Sequence, residues 1–204
     1  MDEKPAKATP LFLMICGPNG AGKSTYTKQS GIGGSIPVVD PDRIAAEEHV
    51  SPFKAGMLAV SQIRDFLASG QSFARETTLS GKNELRLMEE AKERGFTVSL
   101  VFIGINSAKQ SVDRVQERKI RGGHDVPKED ILRRYDRCLN NLPRAIMLAD
   151  NAKLINNAGT GYEDVAKLVK GQLVAEQSRP RWYARVQEIA SEQGIRFENR
   201  QNRA

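Results

Sequence analysis

The sequence predicts an α/β chain: a parallel sheet of the P-loop NTPase type, helices on both faces, a helical lid and an appended C-terminal helix. Three observations carry this reading. A strand-like apolar run, Leu11–Cys16, ends at Gly17 and passes straight into a phosphate-binding pattern. Short apolar runs then alternate with helix-length segments, the order expected of a parallel sheet covered by helices. Acidic residues stand at the ends of several runs, on the edge of such sheets where ligands gather.

The pattern is G-x-x-x-x-G-K-S/T, spelled Gly17-Pro18-Asn19-Gly20-Ala21-Gly22-Lys23-Ser24 and followed by Thr25. Its glycines let backbone N–H groups turn inward around a polyphosphate without Cβ clashes. Lys23 supplies a point charge for the outer phosphates, and the Ser24 hydroxyl can ligate Mg²⁺. Thr25 onward opens a helix whose N-terminus favours anions.

The first helix, Thr25–Ser30, is broken by Gly31-Ile32-Gly33-Gly34, and Ile36–Val39 is a short second strand. Proline just inside a helix start, with an aspartate before it, is N-cap chemistry, so Asp40 is a cap and Asp42 is left for other work. Residues 52–69 form a helix whose Phe53, Met57, Val60, Ile63 and Leu67 are spaced for one buried face, Met57 included as core. A third strand, Ser72–Thr78, leads into helix Lys82–Arg94, which Gly95 stops. Thr97–Ile105 is the most strand-like run in the chain, rich in Val, Phe and Ile. Ser107 caps a helix to about Arg121, and a turn, Gly122 to Pro127, follows. Helix Lys128–Leu142 is succeeded by Ala145–Leu148 and a final strand, Lys153–Ile155. A helix over Tyr162–Gln177 closes the domain. In outline, residues 1–10 are a frayed leader, 11–177 the kinase-like domain with a lid at about 107–142, and 178–204 a basic helical extension.

At 204 residues the chain suits one domain with a real core. No apolar run approaches the length of a membrane span, and the start lacks a signal-peptide core, so a cytoplasmic protein is expected. Cys16 and Cys138 read as buried free thiols without metal-ligand spacing. A net charge of +6, with arginines crowded at 114–144 and 179–203, is compatible with nucleotides, nucleic acid or a membrane surface.

Phosphoryl transfer needs the phosphates cradled, the developing charge neutralised and the acceptor hydroxyl deprotonated. Asp42 is the candidate base, against the alternative of a first-turn acid favoured by the helix dipole. Glu76 ends a buried strand, where it either pairs with Arg75 or a lysine or faces the site to bind substrate hydroxyls or Mg²⁺. Thr77 and Thr78 could position a substrate. Arg114, Arg118 and Arg121 share a helix face; Arg114 reads as solvated, while Arg118 or Arg121 could swing onto a triphosphate about a Gly122-Gly123 hinge. Arg134 flanks the apolar stripe of the next helix and is a better site candidate than Arg133 or Arg137. His124 reads as a turn residue in reach of a substrate.

These segments resemble the zeta toxin family of P-loop kinases, and in particular its short, often non-toxic bacterial members. The resemblance rests on Gly17–Thr25, on Val39-Asp40-Pro41-Asp42-Arg43-Ile44-Ala45, on Glu76-Thr77-Thr78-Leu79-Ser80-Gly81, and on Arg118 through Tyr135, over roughly residues 10–160. It implies an ATP- (or GTP-) and Mg²⁺-dependent kinase, with Asp42 as base, Lys23 and Ser24 on phosphate and metal, Glu76 on the substrate, and Arg118, Arg121 and Arg134 supplying the transition-state arginines. The acceptor it implies is a small molecule such as the nucleotide-sugar UDP-N-acetylglucosamine, and the partner an antitoxin-like protein. Two other functions compete. The basic C-terminal segment with Trp182 and Tyr183 suits a polynucleotide-end kinase, and a nucleotide-binding regulatory module could use Trp182 as a docking anchor.

Overall fold

The computed structural model describes residues 8–122 and 126–197. Its centre is a sheet of β1 (Leu11–Cys16), β2 (Val38–Val39), β3 (Phe73–Thr77), β4 (Thr97–Gly104), β5 (Asn151–Asn156), β6 (Glu163–Val169) and β7 (Gln172–Glu176). The strands lie in the order β2-β3-β1-β4-β5-β6-β7. The first five are parallel, and β6 and β7 join antiparallel at the β5 edge. The parallel strands are apolar almost throughout because helices cover both their faces. β1 lies between β3 and β4, with Cys16 opposite Thr77 on one side and Phe102 on the other. The ends of β1 and β3 therefore meet at one level, with Glu76 opposite Ile15, two residues before Gly17 opens the loop.

The helices are α1 (Lys23–Gln29), α2 (Ile32–Ser35), α3 (Pro41–Glu47), α4 (Pro52–Ser69), α5 (Asn83–Glu93), α6 (Ala108–Ile120), α7 (Lys128–Leu148) and α8 (Arg181–Glu192). Three starts are capped by side chains: Asp40 accepts from the Asp42 N–H (3.0 Å), Ser51 from Lys54 (3.3 Å) and Ser107 from Gln110 (3.1 Å). Asp40 is thus the cap the sequence indicates. Cys16 and Cys138 are buried free thiols, also as expected.

Several elements depart from expectation. The segment expected as helix Tyr162–Gln177 is the β6–β7 hairpin. Lys170 and Gly171, with φ of 49° and 73°, make the tight turn whose twist matches paired strands. The helix expected to end at Leu142 runs through Pro143 to Leu148. The Asn140 carbonyl nearby, in the stretch where the proline breaks the ladder, accepts from Gln193 Nε2 (2.9 Å). The glycine stretch after α1 still closes one turn, α2.

Helix α4 buries Ala55, Ala59, Ile63 and Leu67, while Phe53, Met57 and Val60 are 80%, 60% and 45% exposed. Met57 is therefore not core. The two alanines let the start of α4 lie close against α3, beyond the two-residue edge strand β2, and the larger side chains are left outside.

The C-terminal helix is part of the fold. Trp182, Tyr183, Val186 and Ile189 join the main core, and the Trp182 ring packs at 5.0 Å, tilted by 46°, against Phe102 of β4. Gly104 leaves room for the indole, since a Cβ there would sit 2.2 Å from it. Trp182 is accordingly no surface anchor for a partner or a base. The stretch 107–142, expected as a lid, divides between two packing clusters. Val112, Val115, Val126 and Ile131 form a separate small cluster joining α6 to the start of α7, whereas Tyr135, Cys138, Leu139 and Leu142 belong to the main core.

Candidate active site

The loop after β1 is shaped by close approach and left-handed backbone. Gly17 has φ 148°, and a Cβ on it would lie 2.1 Å from the Ile103 carbonyl oxygen. Gly22 has φ 90° and is backed by Asn157 and Tyr162. The loop is tied from behind: Asn157 Nδ2 donates to the Ala21 carbonyl (2.9 Å), Tyr162 Oη to that of Gly22 (2.7 Å), and Ser111 Oγ to that of Asn19. Arg114, expected in solvent, instead donates to the Asn157 carbonyl (2.7 Å) and reaches that of Gly20 (3.5 Å). It holds the lid helix, the β5 loop and the phosphate loop together.

Lys23 Nζ donates to the carbonyls of Gly17 (2.9 Å) and Pro18 (3.0 Å). Burial pulls its pKa below the usual lysine range. Asn19 Oδ1 is buried in the loop with no partner among the described residues.

Across the cleft, Ser24 Oγ donates to Glu76 Oε2 (2.7 Å). Glu76 is buried and pairs neither with Arg75 nor with a lysine among the described residues; it accepts instead from the serine of the phosphate loop. Asp40 lies beside it, and burial together with the charges of Glu76 and Asp42 raises its carboxyl above the usual range. Asp42, in the first turn of α3, is exposed and lines the same cavity.

That cavity has a volume of about 510 Å³. Arg118 and Arg134 line it from the lid, and Thr77 and Thr78 from the end of β3. Arg134 is 3.7 Å from Asp130. Arg121 is the exposed C-cap of α6 and does not line the cavity, whereas Arg118 and Arg134 do. His124 and the Gly122-Gly123 hinge fall wholly or partly outside the described residues.

Sequence reasoning missed the roles of Arg114, Asn157 and Tyr162, which act through backbone carbonyls and leave no motif. It also passed over Arg75 and Glu84, which line the cavity as a pair 3.6 Å apart. The available signal was an arginine in the middle of a strand otherwise fit for burial.

No family model matches the chain. An uncharacterized protein of Haemophilus influenzae is 33% identical over 128 residues, which cover 60% of this chain and 91% of that protein. The chain belongs to the same family as that protein. Among solved structures, AvrRxo1-ORF1:-ORF2 with ATP superposes with a TM-score of 0.65 at 19% identity over 88% of this chain. This chain spans only 63% of that neighbour's length. A structure of the PezAT chromosomal toxin-antitoxin system of Streptococcus pneumoniae gives 0.60 at 15% identity, covering 91% of this chain and 80% of that one. The fold is that of a zeta-toxin-like P-loop kinase.

Among the described residues of this zeta-toxin-like fold, no group of three or more His, Cys, Asp or Glu side chains is placed to hold a metal. Mg²⁺ that arrives on nucleotide phosphates, with one or two protein ligands, needs no such cage. No described helix is long and apolar enough to cross a membrane.

Proposed function

We propose that this protein is a kinase that transfers the γ-phosphate of ATP, with Mg²⁺, to a hydroxyl of a small molecule such as a nucleotide-sugar. The observation that carries the reading is one cavity with the phosphate loop and the Ser24–Glu76 pair on one wall and Asp42 on another. Loop N–H groups and the start of α1 cradle the phosphates, and Lys23 exchanges its two loop carbonyls for phosphate oxygens. Ser24 and Glu76 would hold Mg²⁺, which when bound offsets phosphate charge. Asp42 accepts the proton of the acceptor hydroxyl as its oxygen bonds to the γ-phosphorus. The bond from that phosphorus to the bridging oxygen breaks, and ADP leaves with the electron pair. Arg118 and Arg134 neutralise the charge spread over the transferring oxygens. Arg114 steadies the loop against which this happens.

The test is γ-phosphate transfer to nucleotide-sugars, free sugars, nucleosides and oligonucleotide ends, with wild type beside Asp42→Asn and Lys23→Ala. Transfer to one acceptor class, reduced on the order of 100-fold or more in both variants, supports the reading. ATP binding without transfer to any acceptor, unchanged in Asp42→Asn, would leave a regulatory module instead.

A further inference from the structure

Arg75 stands in the interior of the sheet, opposite Met14 on β1 and Val39 on β2. Apolar neighbours on both sides give a guanidinium nothing to bond. Its side chain is 18% exposed, and its nearest anionic atom, Glu84 Oε1, is 3.6 Å away, beyond hydrogen-bond reach. Among the described residues Arg75 donates no hydrogen bond, and its Nε is buried without a partner. Burial lowers its pKa, opposed by Glu84 alone.

Glu84 is used by half. Its Oε1 accepts from Thr77 Oγ1 (3.1 Å), while Oε2 is buried and unpartnered against Gly81, where a Cβ would lie 2.7 Å from it. Desolvating an arginine with so little return is unfavourable unless something else completes its bonding. Both residues line the cavity that holds Asp42, Ser24 and Glu76.

The neighbours limit what that something is. Glu84 offsets the formal charge of Arg75 and would repel an anionic group placed on it, and the cavity's cations Lys23, Arg118 and Arg134 are the ones assigned to the phosphates. Uncharged oxygens meet no such repulsion and accept from a guanidinium equally well. A hydroxyl can also donate to the carboxylate of Glu84. We propose that Arg75, steadied by Glu84, is the specificity-determining residue for the acceptor, donating hydrogen bonds to uncharged oxygens of a hydroxyl-bearing molecule and leaving another hydroxyl to Asp42. This rests on the kinase reading of the cavity.

The experiment measures binding and turnover separately. Glucose, N-acetylglucosamine and UDP-N-acetylglucosamine are compared with glucuronate and glucose 6-phosphate, by calorimetry with a non-hydrolysable ATP analogue and by transfer from ATP/Mg²⁺. Wild type runs beside Arg75→Lys and the double variant Arg75→Met/Glu84→Gln, which removes both charges and leaves no lone buried ion. Thermal melts confirm that each variant folds. The expected result is binding of an uncharged sugar moiety, weakened about tenfold or more in the double variant, with affinity for the ATP analogue within about twofold of wild type. Transfer with an unchanged acceptor KM in the double variant overturns the role of Arg75 and leaves the kinase standing. Arg75-dependent binding without transfer overturns the kinase and leaves the role of Arg75. Binding of the anionic sugars alone, or of none of the panel, overturns the inference.

Discussion

Asp40 illustrates how one carboxyl can serve the fold and strain it at once. It caps α3 through the Asp42 N–H, yet burial and the charges of Glu76 and Asp42 raise its pKa. A carboxyl raised in the folded state destabilises the fold when ionised. That cost is absent below its unfolded pKa, about 3.9, and complete above its folded value. Asn can make the same cap without the charge. Asp40→Asn should therefore melt higher than wild type at pH 8, and the gain should shrink as pH falls toward 4. A melting series across that range checks it; a gain independent of pH would contradict the electrostatic account. Leu79, buried with φ 56°, is held by Asn141 Nδ2, which donates to its carbonyl (2.9 Å) and to that of Gly81 (3.3 Å). Asn141→Ala should cost about 1–2 kcal/mol in chemical denaturation, because it leaves those carbonyls unpaired.

At the scale of elements, the β6–β7 hairpin depends on two residues with positive φ. Gly171→Ala combines an unfavourable backbone with a Cβ 2.6 Å from Met147 Sδ, and should cost about 1–2 kcal/mol. Lys170→Asn should go the other way by a few tenths of a kcal/mol, since Asn tolerates the left-handed region. Paired urea titrations measure both. The same turn shows what was legible in the sequence. Strands β1 and β4 are largely apolar runs that end at glycine, a signal independent of the rest of the chain. The hairpin strands are short and one-sided, and their Val165, Leu168, Leu173 and Val174 are spaced acceptably for a helix as well. The Lys170-Gly171 pair was the remaining cue. In α4, periodicity named a helix but not its inward face, because the alanines, not the larger residues, set the distance of approach. Within the site, Lys23, Ser24, Asp42 and Glu76 were legible because their chemistry sits beside the phosphate-loop pattern and at strand ends. Arg114 was not, because bonds to carbonyls brought close by the fold have no local spelling.

Over the whole molecule, one main core runs from β1 through α7 to α8, with Cys16 and Cys138 both inside it. Burial raises both thiols, that of Cys138 to about 12, so neither is a thiolate near pH 8. A thiol reagent such as Ellman's should label neither cysteine in the native protein, and should label both together as denaturant unfolds the core. Selective labelling of one under native conditions would show that part of the core opens independently. Truncation after Gln177 should remove Trp182 and Tyr183 from this core and collapse the thermal transition, read by circular dichroism.

Trp182 Nε1 donates to Asn156 Oδ1 (3.1 Å), and the neighbouring Asn157 holds the carbonyl of Ala21 in the phosphate loop. The phosphate loop is thus braced through a residue that follows it far along the chain and is synthesised long after it. Nascent chains stalled at residue 177 should fail to be retained on immobilised ATP, whereas chains stalled on a linker beyond residue 204 should be retained. Synthesis itself would then leave the phosphate loop without this brace until Trp182 has emerged.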